Sequence, residues 1–371
     1  MSFIPVNEPL LDGNEKKYLN ECIDTGWISS EGPFVKQFED GFASRVRRQQ
    51  GIAVCNGSAA LDAAVAALGL GQGDEVILPA FTIVSCAAAI IRAGATPVLV
   101  DSDPKTWCMN VDELASRITS RTRAIMAVHI YGLPVDMDPL LELARAHGLY
   151  VIEDAAEAHG LDYRGRPCGS FGDISVFSFY PNKHVTTGEG GMLLTDDSAL
   201  ANRCRDLRNL CFDNRRRFVH EDLGWNLRMS NLQAAVGVAQ LERLDEFAIK
   251  KREMGRAYTE GLSVLTGFQS PLVETEYAEN IYWVYGIVLD DSVPFDAAEA
   301  MKRLGEHGIG SRPFFWPMHE QPVFRRMGLF KGESFPVAEN LARRGFYLPS
   351  GLSLTQSQIE EVCGAVREVL A

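Results

Sequence analysis

Between residues 50 and 195, short apolar runs alternate with helical patterns, and this alternation constrains the fold more than any other feature. The apolar runs are nearly free of polar residues, which is typical of strands buried on both faces of a sheet. Because strands that alternate with helices pair mainly in parallel, the pattern predicts an α/β domain with a mostly parallel sheet. The predicted strands are IAVCN (52–56), EVILP (75–79), TPVLVD (96–101), AIMAVH (124–129), LYVIED (149–154), DISVFSF (173–179) and GMLLT (191–195).

The last third of the chain is organised differently. A long helical stretch, 229–262, is predicted to bridge from the large domain to a smaller one. Beyond it lie a predicted strand, IYWVYGIVL, a helix, FDAAEAMKRLGEHG, and a closing helix that begins at a Thr355–Gln358 capping box. Since 371 residues suit two domains, we expect a large domain over 1–248 and a small α+β C-terminal domain over 249–371.

Charge and composition exclude several classes of protein. The net charge of −13 argues against broad nucleic-acid binding, which requires a basic face. No apolar run reaches membrane-spanning length, and MSFIPVNEPLLDG has no basic and apolar leader pattern, so we expect a cytoplasmic protein without membrane contacts. The eight cysteines are scattered and the histidines do not cluster with them, which predicts free thiols and no metal site.

Three features follow predicted strands at the sheet edge where open parallel sheets bind ligands. The first is Gly57-Ser58, between a strand and an alanine-rich helix. Glycine permits close approach of a ligand to the backbone, and the N-terminus of a helix attracts anions such as phosphate. The alternative interpretation is that Ser58 only caps its own helix.

The second feature is the carboxylate pair Glu153-Asp154, which closes the strand LYVIED. A carboxylate at the end of a buried strand requires a cation or hydrogen-bond donors to offset the loss of water. The pair therefore either caps the following loop or holds a protonated ring nitrogen of a ligand.

The third feature is the segment SFYPNKHVTTGEGG (178–191), which contains one lysine, Lys183. This lysine could be a solvated charge, a phosphate ligand or a nucleophile. Its position beyond a strand, in a turn bounded by glycines, favours a desolvated amine with a lowered pKa that attacks aldehydes. Ser178, at the end of the same strand, is a candidate phosphate ligand.

An anion cup, a carboxylate and a reactive lysine are the parts that pyridoxal 5'-phosphate requires: a phosphate site, a partner for the pyridine nitrogen and an amine for the aldehyde. A dinucleotide site is disfavoured because no GxGxxG follows the first strand. The residues alone therefore predict pyridoxal phosphate as the cofactor.

Motifs along almost the whole chain add a resemblance to a known family. The chain resembles the nucleotide-sugar aminotransferases of the DegT group, a branch of the fold-type I pyridoxal-phosphate enzymes. The motifs that carry the resemblance are WISSEGPFVKQFE (27–39), CNGSAAL (55–61), GDEVILPAFT (73–82), GATPVLVD (94–101), VHIYGLPVDM (128–137), VIEDAAEAHG (151–160), FGDISVFSFYPNKHVTTGEGGM (171–192), GWNLRMSNLQAAVGVAQL (224–241) and SRPFFWPMH (311–319).

The resemblance implies a role for individual residues. Lys183 would bond the cofactor aldehyde, Asp154 would bind the ring nitrogen, and Glu157 would lie beside the ring or its 3-hydroxyl. Asn226 would reach the phosphate bound by the other subunit, which implies a homodimer with shared sites. The implied phosphate ligands are Gly57, Ser58, Ala59 and Ser178. The implied substrate-binding residues are Trp27, Ser29, His184, Arg312, Trp316 and His319; for Trp316, packing between domains is an equal alternative.

The family resemblance also implies the reaction: transfer of an amino group from L-glutamate to the keto carbon of a nucleotide-linked keto-deoxysugar. The motifs are most similar to members that use a GDP-linked 4-keto-6-deoxy sugar, with UDP- or dTDP-linked 3- or 4-keto sugars as the alternative. A sugar dehydratase, in which histidine replaces the lysine, and a non-catalytic regulator are disfavoured because Lys183 and Asp154 are both present.

The chain departs from the family pattern at two places. Ile83 occupies the position where relatives carry an aromatic residue that stacks on the cofactor, so either aliphatic packing or Phe81 would replace that contact. The segment CFDNRRRFVHED (211–222) also differs, although its Asn214-Arg215-Arg216 is similar. The arginine run 215–217 is either a solvated face or a pyrophosphate clamp.

Overall fold

The computed structural model of the chain describes residues 3–212, 216, 218–220 and 222–370. Its centre is a seven-stranded sheet with the order β1-β9-β8-β5-β4-β2-β3, and β6 and β7 form a separate hairpin. Every predicted strand between residues 50 and 195 is present. The strands of this region are β1 (Gln50–Val54), β2 (Glu75–Pro79), β3 (Thr96–Val100), β4 (Thr122–Val128), β5 (Tyr150–Asp154), β6 (Asp162–Tyr163), β7 (Arg166–Pro167), β8 (Ile174–Ser178) and β9 (Gly191–Thr195).

The central sheet is mostly parallel, as the sequence predicts. The pairs β2–β3, β2–β4, β4–β5 and β5–β8 are parallel. Only β9 runs the other way within this sheet, antiparallel to both β1 and β8. Its side chains are buried along the whole strand, because helices cover both faces of the sheet.

α-Helices surround the central sheet and a smaller four-stranded sheet in the last third of the chain. The predicted stretch 229–262 consists of two helices, α8 and α9, because Arg243 has a non-helical backbone that interrupts it. The α-helices are α1 (Glu15–Thr25), α2 (Pro33–Arg45), α3 (Gly57–Ala67), α4 (Val84–Arg92), α5 (Leu114–Arg117), α6 (Met137–His147), α7 (Ser198–Arg208), α8 (Asn231–Leu241), α9 (Leu244–Leu262), α10 (Ala297–Glu306), α11 (Pro322–Arg326), α12 (Pro336–Arg344) and α13 (Gln356–Leu370), with short 3₁₀ helices at Val111–Glu113 and Met318–Glu320.

A second, antiparallel sheet has the order β10-β11-β13-β12. Its core is separate from the core of the large sheet and includes residues of α9, α10 and α13. Of the predicted strand 281–289 only the second half is a strand, because Tyr282 has a left-handed backbone that bends the chain. The strands are β10 (Phe268–Gln269), β11 (Tyr285–Leu289), β12 (Arg312–Pro313) and β13 (Gly345–Leu348).

The predicted start of the last helix agrees with the structure. The Thr355–Gln358 capping box forms, since the Thr355 amide donates to the Gln358 side chain and the Gln358 amide donates to the Thr355 hydroxyl. The predicted domain boundary between residues 248 and 249 lies inside α9 and stays a prediction. No helix in the described part of the chain is long and apolar enough to cross a membrane.

A buried lysine joins α9 to the second sheet. Lys251 is 2% exposed, and its Nζ donates to the carbonyls of Trp283, ahead of β11, and Ser350, beyond β13. Burial lowers the pKa of this amine from 10.5 to about 7. The lysine therefore holds three segments together through neutral hydrogen bonds once it has lost its proton.

Lys251 should make stability depend on pH in a specific window. Between about pH 7 and pH 10.5 the unfolded chain keeps the lysine proton and the folded chain does not. Raising the pH through this window therefore stabilises the folded state. Relative to Lys251→Met, the wild-type free energy of unfolding should rise from pH 7 to pH 9, as measured by urea denaturation. Lys250→Met is the control, and parallel pH curves for wild type and Lys251→Met would contradict the prediction.

Candidate active site

The carboxyl ends of the parallel strands open into a cavity of about 530 Å³. Residues that directly follow or end β2, β4, β5 and β8 line it, together with the first residues of α3. The sequence predicts a ligand site at this edge, and the cavity lies there. The lining residues are Asn56, Gly57, Ser58, Leu61, Thr82, Ile83, Ser85, Val128, His129, Ile130, Asp154, Ala156, Glu157, Val176, Ser178, Tyr180, Asn182, Lys183, Glu189, Trp283, Phe315 and Tyr347.

Close backbone packing at Gly57 shapes one end of the cavity. A methyl group at residue 57 would lie only 2.8 Å from the Ser178 Cβ, so this position requires glycine. The helix cap is Asn56, whose side chain accepts from the Ala59 amide at 2.8 Å. The alternative that Ser58 caps α3 is therefore wrong, and the Ser58 hydroxyl instead contacts the Ser85 hydroxyl at 2.7 Å.

The carboxylate pair at the end of β5 divides between two environments because successive strand residues face opposite sides of a sheet. Glu153 points away from the cavity and accepts from His129 at 3.0 Å and from the backbone amides of Gly169, Phe171 and Gly172. Asp154 lines the cavity and is 3% exposed. Of the two, Asp154 is free to meet a ligand.

Burial raises the pKa of Asp154, and the Ala156 amide, 3.0 Å from Oδ1, opposes that rise. In Glu153 the balance is reversed. Burial again raises the pKa, but the hydrogen bonds from His129 and the backbone outweigh it and leave the pKa lowered.

Lys183 extends into the same cavity from the turn beyond β8. Its Nζ lies 3.6 Å from a Glu157 carboxylate oxygen and 3.9 Å from the centre of the Trp283 ring. Burial lowers the pKa of Lys183, while the charges of Glu157 and Asp154 oppose that shift. The amine is therefore desolvated, as the sequence analysis predicts, and it is not a solvated surface charge.

Glu157 completes a set of three ionisable groups that line the cavity. One of its oxygens accepts from the Tyr131 amide at 2.9 Å and the other faces Lys183. Burial raises the pKa of Glu157 to about 7, with Lys183 opposing. Ionisable groups with shifted pKa values gathered in one cavity are typical of catalytic sites.

The second structural unit contributes an aromatic wall that the sequence analysis did not assign to the site. Trp283, Phe315 and Tyr347 line the cavity, and the Trp283 indole donates to the Asn182 carbonyl beside Lys183. The dense aromatic runs IYWVYG and RPFFWP were the available signal. Because these runs are far from Lys183 in sequence, their contact with the lysine turn was not predicted.

The structure brings some of the predicted site residues together. Gly57, Ser58, Asp154, Glu157, Ser178 and Lys183 line the cavity. The other predicted residues lie outside its lining: Ala59 is buried in α3, Arg312 is exposed on β12 opposite Tyr347, and Trp27, Ser29, Asn226 and Trp316 are exposed. The 46% exposure of Trp316 argues against plain domain packing for that residue.

Two predicted substrate residues are buried away from the cavity. His184 donates from Nδ1 to the His159 carbonyl, and His319 is hydrogen-bonded to Glu339 at 3.0 Å. Burial lowers the pKa of His184 well below its usual range, so the ring is neutral. Neither side chain reaches the cavity, because each ring already has a partner in the protein interior.

The first departure from the family pattern, at Ile83, lies in the cavity. Ile83 lines the cavity and is 42% exposed, whereas Phe81 is buried against Tyr131 and Phe314. Of the two residues considered for that contact, Ile83 lines the cavity and Phe81 does not. Asn214, Arg215 and Arg217 lie outside the described residues; Arg216 is exposed.

Two groups of side chains lie close enough to hold a metal ion within the described residues. They are His129, Glu153 and Cys168, and His319, Glu320 and Glu339. In each group the histidine is already hydrogen-bonded to a glutamate at 3.0 Å, and Arg343 pairs with Glu320. In each group the histidine and one glutamate therefore already satisfy each other.

The model of the DegT/DnrJ/EryC1/StrS aminotransferase family matches residues 9–367. The chain belongs to this family. The prediction of an aminotransferase is thereby confirmed.

Individual members of the DegT/DnrJ/EryC1/StrS family are similar over nearly the full length. The GDP-perosamine synthase of Escherichia coli is 42% identical over 368 residues, 99% of each chain. The putative pyridoxal phosphate-dependent aminotransferase EpsN of Bacillus subtilis is 37% identical over 377 residues, covering 99% of this chain and 95% of that one. The crystal structure of the aminotransferase TlmJ from Streptoalloteichus hindustanus matches with a TM-score of 0.92 and 33% identity, over 99% and 98% of the two chains. The predicted fold class is confirmed.

The close contact at Gly57 predicts the effect of a small substitution. Gly57→Ala should lower the free energy of unfolding by about 1–3 kcal/mol, because its methyl group overlaps the Ser178 side chain. The loss should be smaller when Ser178→Gly is also present. Gly364→Ala is the control, since nothing lies within 4 Å of that added methyl group. Additive losses in a urea-unfolding double-mutant cycle would contradict the proposed overlap.

Proposed function

We propose that this aminotransferase uses pyridoxal 5'-phosphate to transfer the amino group of L-glutamate to C4 of a GDP-linked 4-keto-6-deoxymannose. The observation that carries the proposal is the meeting of Lys183, Asp154 and the Gly57 cup in one cavity. The name of the Escherichia coli relative, GDP-perosamine synthase, supports a GDP-linked sugar as the acceptor.

The residues of the cavity fit this cofactor. The α3 N-terminus, kept open by the absence of a side chain at Gly57, offers amides to a phosphate, with the Ser58 and Ser178 hydroxyls beside it. Asp154 supplies a carboxylate for the protonated ring nitrogen. Lys183 supplies a desolvated amine for the aldehyde. The description of EpsN as pyridoxal phosphate-dependent agrees with this fit.

When bound, pyridoxal phosphate supplies an electron sink for the carbanion that forms when glutamate loses its Cα proton. The protein supplies the proton transfers. Because burial lowers the pKa of Lys183, its Nζ loses its proton more readily than an exposed lysine and can accept a proton from one carbon and return it to another. Glu157, 3.6 Å away, holds this amine in place. Asp154 stabilises positive charge on the ring throughout.

The same arrangement favours amino transfer over a sugar dehydratase. In the dehydratase hypothesis a histidine replaces the reactive lysine. Here Lys183 lines the cavity, whereas the neighbouring His184 is buried and hydrogen-bonded to the His159 carbonyl. A non-catalytic regulator is disfavoured too, because both Lys183 and Asp154 are retained in the cavity.

We further propose a homodimer in which Asn226 of each chain completes the phosphate site of the other. Asn226 is exposed, and exposed apolar side chains lie near it in sequence at Leu223 and Trp225. The exposed Trp27, Ser29, Arg312 and Trp316 remain candidate substrate contacts, and His184 and His319 need a changed conformation for that role.

A role in bacterial surface-polysaccharide biosynthesis, such as that of an O-antigen, fits an amino-sugar nucleotide product. All eight cysteines are unpaired, which supports a reducing compartment such as the cytoplasm.

The covalent role of Lys183 is directly testable. The purified protein should be yellow, and borohydride reduction should fix the cofactor to the peptide that contains Lys183. Lys183→Ala should lower turnover by about 10³-fold or more, because it removes both the nucleophile and the proton carrier. Lys331→Ala, on an exposed loop, is the control and should match the wild type. Fixation of the cofactor to a different peptide would contradict the proposed covalent role of Lys183.

The acceptor is tested by a substrate panel. The enzyme is incubated with L-glutamate and 3-keto or 4-keto deoxysugars linked to GDP, UDP or dTDP, and the products are identified by mass spectrometry and NMR. A GDP-linked 4-amino sugar is the expected product. Amination of a UDP- or dTDP-linked sugar alone would reject the proposed acceptor and leave the aminotransferase assignment intact.

A further inference from the structure

The second oxygen of Asp154 has a partner that the proposed reaction does not use. The Cys86 thiol lies 3.3 Å from Asp154 Oδ2, while Oδ1 accepts from the Ala156 amide. Cys86 is fully buried in the first turn of α4. The two carboxylate oxygens are therefore held by one backbone donor and one side-chain donor.

The direction of the hydrogen bonds follows from the number of protons. An ionised carboxylate only accepts, so the thiol gives its single proton to Asp154. The Thr82 hydroxyl lies 3.5 Å from the same sulfur and is left to donate to it. The Thr82 hydroxyl, the Cys86 thiol and the Asp154 carboxylate thus form a short donor chain that ends at the cavity.

The thiol remains a proton donor under all ordinary conditions. Burial and the nearby Asp154 charge raise the pKa of Cys86 well above its usual value. For Asp154, burial raises the pKa, and the Ala156 amide and the Cys86 thiol both oppose the rise. Cys86 therefore favours the ionised carboxylate at the floor of the cavity.

We propose that Cys86 is a positioning residue that orients Asp154 and keeps it ionised toward the cofactor's ring nitrogen, assisted by Thr82. This role rests on the proposed function, since it requires a ring nitrogen for Asp154 to meet. A purely structural role for Cys86, as a small buried side chain, makes a different prediction. The effect of substituting Cys86 on cofactor affinity would then be the same whether the cofactor presents a nitrogen or a CH group to Asp154.

The test compares pyridoxal phosphate with its 1-deaza analogue, in which a CH group replaces the ring nitrogen. Apo-protein is titrated with each compound, and Trp283 fluorescence in the cavity wall reports binding. Cys86→Ala should weaken pyridoxal phosphate binding by about tenfold, since a thiol is a weak donor to a charged acceptor. Its affinity for the deaza analogue should change less than about twofold.

Three further variants sharpen the comparison. Cys86→Ser keeps a donor and should stay within about threefold of the wild type. Cys108→Ala is the matched control, because that buried thiol donates at 3.3 Å to the Leu133 carbonyl, away from Asp154. Thr82→Val removes the hydroxyl that donates to the Cys86 sulfur and leaves residue 86 unchanged. It should weaken pyridoxal phosphate binding less than Cys86→Ala does, and again more than it weakens binding of the deaza analogue.

The outcomes separate the hypotheses. Selective loss of pyridoxal phosphate binding in Cys86→Ala and Thr82→Val, with rescue by serine, supports the positioning role. Equal losses for both compounds, or no loss in either variant, would overturn it while leaving the proposed function intact. Failure of the wild-type protein to bind pyridoxal phosphate would overturn the proposed function and the role of Cys86 together.

Discussion

The site depends on the cost of placing ionised groups in a largely buried cavity. Asp154, Glu157 and Lys183 are all almost enclosed, and burial is the largest influence on the pKa of each. An isolated charge in such a place would lose several kcal/mol of hydration. Each group therefore has compensating partners: amides for both carboxylates, and a carboxylate and an indole face for the amine. These partners leave the amine reactive without allowing water to surround it.

The parallel sheet is what brings the partners together. Strands that run in one direction end at one edge, so residues as far apart in sequence as Gly57 and Lys183 share a cavity. The alternation of side chains along β5 then separates Glu153 from Asp154. Glu153 accepts hydrogen bonds from the 169–172 loop, and Asp154 lines the cavity. Adjacent carboxylates at one strand end thus have two different environments.

Patterns local in sequence predicted the parallel strands, the cup at Gly57 and the orientation of Lys183, because each depends on a few neighbouring residues. Contacts between distant segments were not predictable in the same way. The sequence suggests Ser58 as a cap, but Asn56 has the better geometry for it. The sequence predicts free thiols, but the contact of Cys86 with Asp154 was not predictable because it forms only where α4 and β5 meet. The burial of His184 depends on its contact with His159, and the wall formed by Trp283 and Tyr347 depends on packing between units. No single motif predicts either.

The cavity lining contains few basic residues, although the proposed cofactor carries a phosphate. Among the described residues that line the cavity, Lys183 is the only lysine or arginine, and Glu157 lies beside it. A phosphate at Gly57 would therefore be bound mainly by neutral donors: the amides at the start of α3 and the hydroxyls of Ser58 and Ser178. Such donors bind an anion without a fixed positive charge that would attract the Asp154 carboxylate from its position or repel a protonated Lys183. The net charge of −13 is compatible with this arrangement, because the cup depends on local dipoles and not on the field of the whole surface.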